Sequence, residues 1–520
     1  MISTATDALN GQSELQVKRV VVLGGGSAGM LVALALAKHL PNVETTVVRS
    51  TKLGVIGVGE GTIASIGRFL HDYLGIDPLH FHQEVHPSIK LGIQFQWGSD
   101  KPFHYTFSNQ FSAPLSPQVK LSLARGYYCS SDASYADSTS ALMFHGKAAR
   151  LDDQGNPLLC PRYAYHLENK RFVGFLEKHS DELGVKKVDA IVEEVSVDER
   201  GVKELMLDNG EKVSADLFVD CSGFRSALLG EALQEPFVSF KDALLCDRAV
   251  VGGWQRTDDE YFAYTRAEAM DSGWCWQIEH DEIINRGYVY ASDFISDEQA
   301  EKEFRQRNPK LGETRVVKFR SGVYRRAWVK NVVAIGNSYG FVEPLEATAI
   351  GLISSAANEL VTVLKSGGDC ITDASRDVFN KIQDVNWQQT RDFLAFHYKP
   401  NQLSQSPFWD ACRNDVDLGD AQEILDYYQA VGPDLSALQH RMKSDLFGTE
   451  GYLAMLVGQN VPYRRQVEVS DNEKMAWTKL RGRLAQFADA GIGMSEYLSK
   501  LRQGQASLPM PRMGMPTNPA

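Results

Sequence analysis

No apolar run in this chain reaches the roughly 18 residues that suggest a membrane-spanning helix, and residues 1–17 have neither a basic start nor an apolar core. Neither a transmembrane helix nor a secretory signal is therefore expected. Excess positive charge is also missing. The 54 Lys and Arg are outnumbered by 66 Asp and Glu, interspersed along the chain, for a net charge of −12. Nucleic acid, which demands a basic footprint, is not an expected partner. Cysteine is sparse: Cys129, Cys160, Cys221, Cys246, Cys275, Cys370 and Cys412 are scattered, odd in number and form no C-x-x-C pair. That pattern argues against a disulfide framework or zinc ribbon and for reduced thiols in a cytoplasmic protein. Internal repeats and low-complexity tracts are lacking as well.

What is there is ordinary globular sequence: 520 residues, 43% hydrophobic and 23% charged, enough for about two to four domain-sized units. Val20–Leu23 is a β-branched run, a glycine cluster follows, and Ala28–Leu40 carries apolar residues at helical spacing. With a second strand at Val43–Val48 this predicts a βαβ unit and a parallel sheet. Val188–Val197, Val202–Leu207 and Glu211–Ser214, parted by turn residues, predict a three-stranded meander. Leu217–Asp220 and Val332–Ile335 are expected to return to the first sheet. Beyond about residue 370 the periodicity turns helical, as in Ser375–His397 and Asn472–Phe487, and 506–520, rich in Pro and Met, is expected to be a loose tail.

Gly24-Gly25-Gly26-Ser27-Ala28-Gly29 fits G-x-G-x-x-G between strand and helix. Gly24 allows the tight turn, Gly26 lets a pyrophosphate approach the backbone, Gly29 lets the helix pack on the strand, and the N–H groups of Ser27 and Ala28 begin an anion-attracting helix. The second strand should then end in an acid that accepts from a ribose hydroxyl, but it reads Val47-Val48-Arg49-Ser50. Arg49 has only donors; it favours a phosphorylated ribose, stacks on adenine, or turns outward. His80-x-His82-x-Glu84-x-His86 has residue types that suit a transition metal, and on a strand they would share one face. Histidines that are merely solvated or hydrogen-bonded are the commoner outcome.

Gly57-Val58-Gly59-Glu60-Gly61-Thr62 resembles the G-V-G-E-A-T segment of flavin-dependent halogenases of the tryptophan halogenase type. Further matches follow in order: His86–Gly92 resembles the family's lysine segment, Ala215–Ser226 its second flavin segment, Trp274–Ile278 its W-x-W-x-I-P motif, Gly287–Phe294 the follower of that motif, and Asn331–Gly351 the segment holding flavin and halide. Arg391–Phe393 and Ser406–Trp409 extend the likeness into the helical region, so that it spans roughly residues 18 to 465.

The resemblance implies an α/β fold: a GR2-like FAD-binding module of the flavin hydroxylase type over 18–365 with a second, substrate-side sheet, a helical substrate-covering region over 366–505, and flexible ends at 1–17 and 506–520. It implies FAD, received as FADH2 from a separate flavin reductase, against Gly24, Gly26, Ser27, Ala28, Gly29, Arg49, Gly57, Val58, Val192, Gly336 and Ile350. Dioxygen and a halide, chloride or bromide, would yield hypohalous acid, which Lys90 would relay to an aromatic small-molecule substrate of indole, phenol or pyrrole type. A lysine suits the task as ammonium donor or as amine, and burial sets the balance; the bland alternative is an exposed lysine on a strand edge. Glu346 would support the charge developing on the ring, or simply sit at the N-terminus of a helix running from Ala347 to Leu364. The backbone N–H groups of Thr348 and Ala349 are the implied halide ligands. Trp274, Trp276, Phe408 and Trp409 are implied to line the tunnel and substrate site, although two tryptophans at spacing two also pack a core face of a strand. No metal is implied, and a homodimer is a reasonable expectation.

Three departures stand out: Ala347 for Ser, Ala349 for Gly and Glu279 for Pro. Glu279 keeps open a flavin-dependent aromatic monooxygenase on the same scaffold. A substrate presented on a carrier or partner protein is the other alternative.

Overall fold

In the computed structural model, which describes residues 15–53, 59–109, 111, 123–130, 132–257 and 259–509, the short β-branched runs build the centre of the molecule. Arg19–Leu23, Glu44–Arg49, Leu217–Asp220, Val332–Ala334 and Lys186–Asp189 pair in parallel, and Trp328–Val329 closes one edge antiparallel, in the order 186–189, 44–49, 19–23, 217–220, 332–334, 328–329. Parallel neighbours need crossover connections, and Ser27–His39 is the first of them. Its face is apolar nearly all round because it lies buried between the sheet and two further helices, Asn169–Glu182 and Ala349–Ser366.

A second sheet of seven strands stands beside the first: Arg315–Lys318, Arg248–Gln255, Ile283–Tyr290, Gly273–Glu279, Thr265–Met270, Gly92–Gln96 and Phe103–Thr106, antiparallel except between Thr265–Met270 and Gly92–Gln96. A small sheet of Glu60–Gly61, Ala164–Leu167 and Ser88–Lys90 carries the lysine segment.

The expected strand Val188–Val197 is two strands. Lys186–Asp189 joins the edge of the parallel sheet, Ala190 N–H donates to the Arg49 carbonyl, and only Val192–Asp198 enters the meander with Gly201–Leu207 and Lys212–Val213. Periodicity could not show the break, because both strands are extended. The histidine segment is a helix, Pro78–Val85, capped by Asp77, with His86 in the left-handed region at its end. Helical geometry sends its side chains apart, and among the described residues no group of three or more His, Cys, Asp and Glu could hold a metal.

The C-terminal helices include Asp373–Tyr398 and Asp471–Asp489, capped by Thr372 and Ser470 through hydrogen bonds to the backbone three residues on. No described helix is long and apolar enough to cross a membrane. Parts of the two terminal segments make contacts where they are described. Leu15–Gln16 pairs with Cys370–Ile371, and Ser507 and Pro509 accept from Tyr497 and Tyr163.

Candidate functional site

A cavity of about 810 Å³ opens between the two sheets. Its lining includes Gly24, Gly26, Ser27, Ala28 and Arg49, then Val192 and Gly336, and Thr348, Ala349 and Ile350 with Trp276. Gly57 and Val58 lie outside the described residues. The glycine loop has the shape a pyrophosphate needs. Gly24 has φ +122°, and a Cβ there would fall 2.2 Å from the Cys221 carbonyl oxygen. A Cβ on Gly26 would meet nothing within 4 Å, so its backbone faces open space. Gly29 is not on the cavity. A Cβ there would sit 1.9 Å from the Gly24 carbonyl oxygen, which makes it a contact between helix and loop. Asp220, buried at the end of its strand, accepts from Ser222, Leu228 and Leu229 N–H and so fixes the loop that faces the glycines. Among the described residues the buried Trp276 indole nitrogen has no hydrogen-bond partner, although the ring lines the cavity. A large polycyclic ligand with a pyrophosphate fits these features; a dinucleotide such as FAD is one.

The wall at Thr348 and Ala349 is built by one turn. Ala347 takes φ +55°, a conformation that costs a non-glycine residue roughly 1–2 kcal/mol. That reversal separates its neighbours: the Glu346 carboxylate turns toward the buried helix Asp373–Tyr398, while Thr348 and Ala349 face the cavity. Helix Ala349–Ser366 begins there with no side-chain cap at Thr348, so its first N–H groups and positive dipole end point to the cavity. The expected start at Ala347 is two residues early, and Glu346 is outside the helix.

Lys90 and Glu346 lie behind the cavity wall. Lys90 is fully buried; its Nζ donates to the Thr62 carbonyl at 3.0 Å and lies 5.6 Å from the centre of the Phe107 ring. Burial pushes its pKa down to about 7, against the opposing pull of Glu346. Gly61 lines the cavity, and a Cβ there would be 3.5 Å from Lys90 Nζ. Gly61 thus lies between the cavity and Lys90 Nζ. Glu346 Oε1 meets His397 Nε2 at 2.6 Å, and His397 Nδ1 meets the Phe393 carbonyl at 2.7 Å. A carbonyl only accepts, so Nδ1 carries hydrogen, and a proton must also lie between Nε2 and the carboxylate. His397 was missed in the sequence because nothing in helical spacing shows that a residue 51 positions away is its partner.

The family model for tryptophan halogenase matches residues 19–474. The tryptophan 6-halogenase ThaL of Streptomyces albogriseolus is 33% identical over 447 residues, covering 80% of this chain and 83% of the relative. The tryptophan 7-halogenase RebH of Lentzea aerocolonigenes is 32% identical, covering 80% and 82%. Among solved structures, MibH, a lanthipeptide tryptophan 5-halogenase, superposes with TM-score 0.85 at 33% identity over 94% of both chains. BrvH, a flavin-dependent halogenase from Brevundimonas sp. BAL3, does so with TM-score 0.81 at 27% identity over 94% of this chain and 99% of that one. The chain belongs to the tryptophan halogenase family. It is a flavin-dependent halogenase with the α/β fold of that family, and flavin and halide use, an aromatic substrate and a separate flavin reductase come with the family.

Within this halogenase the motif tryptophans have different surroundings. Trp276 lines the cavity, packed so closely on Gly287 that a Cβ there would be 2.0 Å from the ring. Trp274 does not; its indole N–H donates to Glu343 Oε2 at 2.8 Å, and Tyr398 donates to the same oxygen at 2.6 Å. Burial raises the Glu343 carboxyl to about 7. Phe408 and Trp409 are core residues rather than cavity walls. Trp409 donates to the Met270 carbonyl and meets Trp97 edge to face, and Phe408 packs on Phe294. Their aromatic character anchors helix Pro407–Asp415. Glu279, the replacement for proline, also turns away from the cavity. Its oxygens meet Arg256 at 2.5 Å and Gln277 at 2.6 Å, and its carbonyl accepts from Ser88 on the lysine strand.

Proposed function

We propose that this halogenase uses FADH2 from a separate reductase, dioxygen and chloride or bromide to make hypohalous acid, and that Lys90 delivers the halogen to an electron-rich aromatic ring of indole, phenol or pyrrole type. When bound, reduced FAD would supply two electrons that, together with two from the halide, reduce dioxygen to water and hypohalous acid. Gly24, Gly26, Ser27, Ala28, Arg49, Val192, Gly336 and Ile350 hold it, and Gly29 supports the loop. The N–H groups of Thr348 and Ala349 hold the halide at the helix terminus. Hypohalous acid then passes Gly61. The Lys90 ammonium donates to its oxygen and polarises the oxygen–halogen bond, the ring attacks the halogen, and the departing hydroxide takes the lysine proton to leave as water. Glu346, with His397, receives the proton lost from the ring.

The observation that carries this reading is the placement of a buried lysine one glycine beyond a dinucleotide-sized cavity. Because Glu279 is engaged by Arg256 outside the cavity, it supplies no group that would favour hydroxylation at the flavin. The test is reconstitution with a flavin reductase, both halides, and free tryptophan, a tryptophan-containing peptide and carrier-bound pyrrole as arms. Halogenated product that disappears in Lys90→Ala is expected. Hydroxylated product only, unchanged by Lys90→Ala, would overturn it in favour of the monooxygenase.

A further inference from the structure

The acid absent from the end of strand Glu44–Arg49 has a counterpart elsewhere in the chain. Glu177 on helix Asn169–Glu182 brings its Oε1 to 3.1 Å from Arg49 Nε, and both side chains line the cavity beside Gly24, Gly25 and Gly26. Arg49 lies over the glycine loop: a Cβ on Gly25 would be 2.7 Å from its Cβ and 2.8 Å from its Cδ. Glu177 is 27% exposed on its side chain and Arg49 22%, so neither is sealed from the cavity. Among the described residues no hydrogen bond engages either carboxylate oxygen of Glu177, its contact with Arg49 being an ion pair.

We propose that Glu177 replaces the strand-end acid and accepts hydrogen bonds from the ribose hydroxyls of the adenosine half of FAD, with Arg49 holding its carboxylate in place. This rests on the FAD reading of the cavity. The chemistry is the usual one, a carboxylate receiving a vicinal diol, but it is supplied from a helix remote in sequence. It also decides between the roles open to Arg49. An arginine engaged by Glu177 is neutralised, and the carboxylate repels a 2′-phosphate, so the pair selects against a phosphorylated ribose.

The test compares FAD with FMN, which shares the flavin and first phosphate but lacks adenosine, by flavin fluorescence titration of the full chain. Glu177→Gln, nearly isosteric, is expected to weaken FAD roughly 10-fold, in line with the loss of a charge-assisted hydrogen bond, and to leave FMN affinity unchanged. Adding Arg49→Glu to that variant returns an acid to the strand end and is expected to recover FAD affinity. An unaltered FAD-to-FMN affinity ratio in Glu177→Gln overturns the proposal, as does failure of the added Arg49→Glu to recover binding. A wild-type chain that shows no preference for FAD over FMN removes the cofactor reading itself, and this proposal with it.

Discussion

Lys90 has a folded-state pKa near 7 against an ordinary 10.5, so between those values the unfolded chain holds a proton that the folded chain has released. Stability therefore rises with pH through that window, and the full penalty of burying the charge applies below pH 7. It is on the order of 3–5 kcal/mol. Lys90→Met is expected to raise the urea midpoint below pH 7 while abolishing halogenation, and the gain should shrink as pH climbs toward 10.5. A midpoint gain independent of pH would contradict this burial argument. His397 is the complementary case. Replacing it with leucine leaves Glu346 buried without its proton-sharing partner, and kcat for halogenation should fall at least ~10-fold. FAD affinity, measured by fluorescence titration, should not change, because His397 is not on the cavity. Of these residues, Lys90 was legible from its motif. Its fully buried state and its lowered pKa were not, since both come from packing by Thr62, Gly61 and Phe107.

The deciding element is the turn from Glu343 to Thr348 with the helix behind it. The turn points a carboxylate one way and helix N–H groups the other. Ala347→Gly removes the Cβ that disfavours φ +55° and is expected to stabilise the fold by about 1 kcal/mol, read from the denaturant midpoint. The small sheet carrying Gly61 makes the opposite prediction. Gly61→Leu places a branched side chain where a Cβ already lies 3.1 Å from Ala347 Cβ and 3.5 Å from Lys90 Nζ. Product halogenation should drop at least ~10-fold as the proposed route past Gly61 closes, by the cost of overpacking a tight site. Hypohalous acid, measured with an added thiol or diketone trap, should still form. Loss of both signals would place the block at the cofactor instead. The helix start was readable to within two residues; the left-handed Ala347 was not, because alanine carries no sequence signal for that conformation.

At the scale of the molecule the cavity belongs to several parts of the chain. The parallel sheet supplies Gly24 and Arg49, the seven-stranded sheet Val251, Trp276 and Val289, and helix Asp373–Tyr398 supplies Trp387. The same helix carries His397 to Glu346 and has Asn380 bonded to the backbone of Trp328. A ligand in the cavity therefore touches every major layer. FAD at about 100 times its Kd should add roughly 2.7 kcal/mol and shift a single calorimetric transition as a whole. Two transitions, one unmoved by FAD, would show that the helical region unfolds independently of the cavity.

The local patterns determined a good deal. Gly24–Gly29 after a β-branched strand dictates a nucleotide loop, because only glycine tolerates φ +122° and so close an approach to Cys221. The ordered motifs placed Lys90, Glu346, Thr348 and Ala349 in one halogenating family. Tertiary structure decided what each side chain faces. It put Glu279 on Arg256, Trp274 on Glu343, Trp409 in the core and Glu177 beside Arg49. These are contacts between residues up to 139 positions apart, set by how sheets and helices close on one another. No periodicity of two or 3.6 residues encodes them.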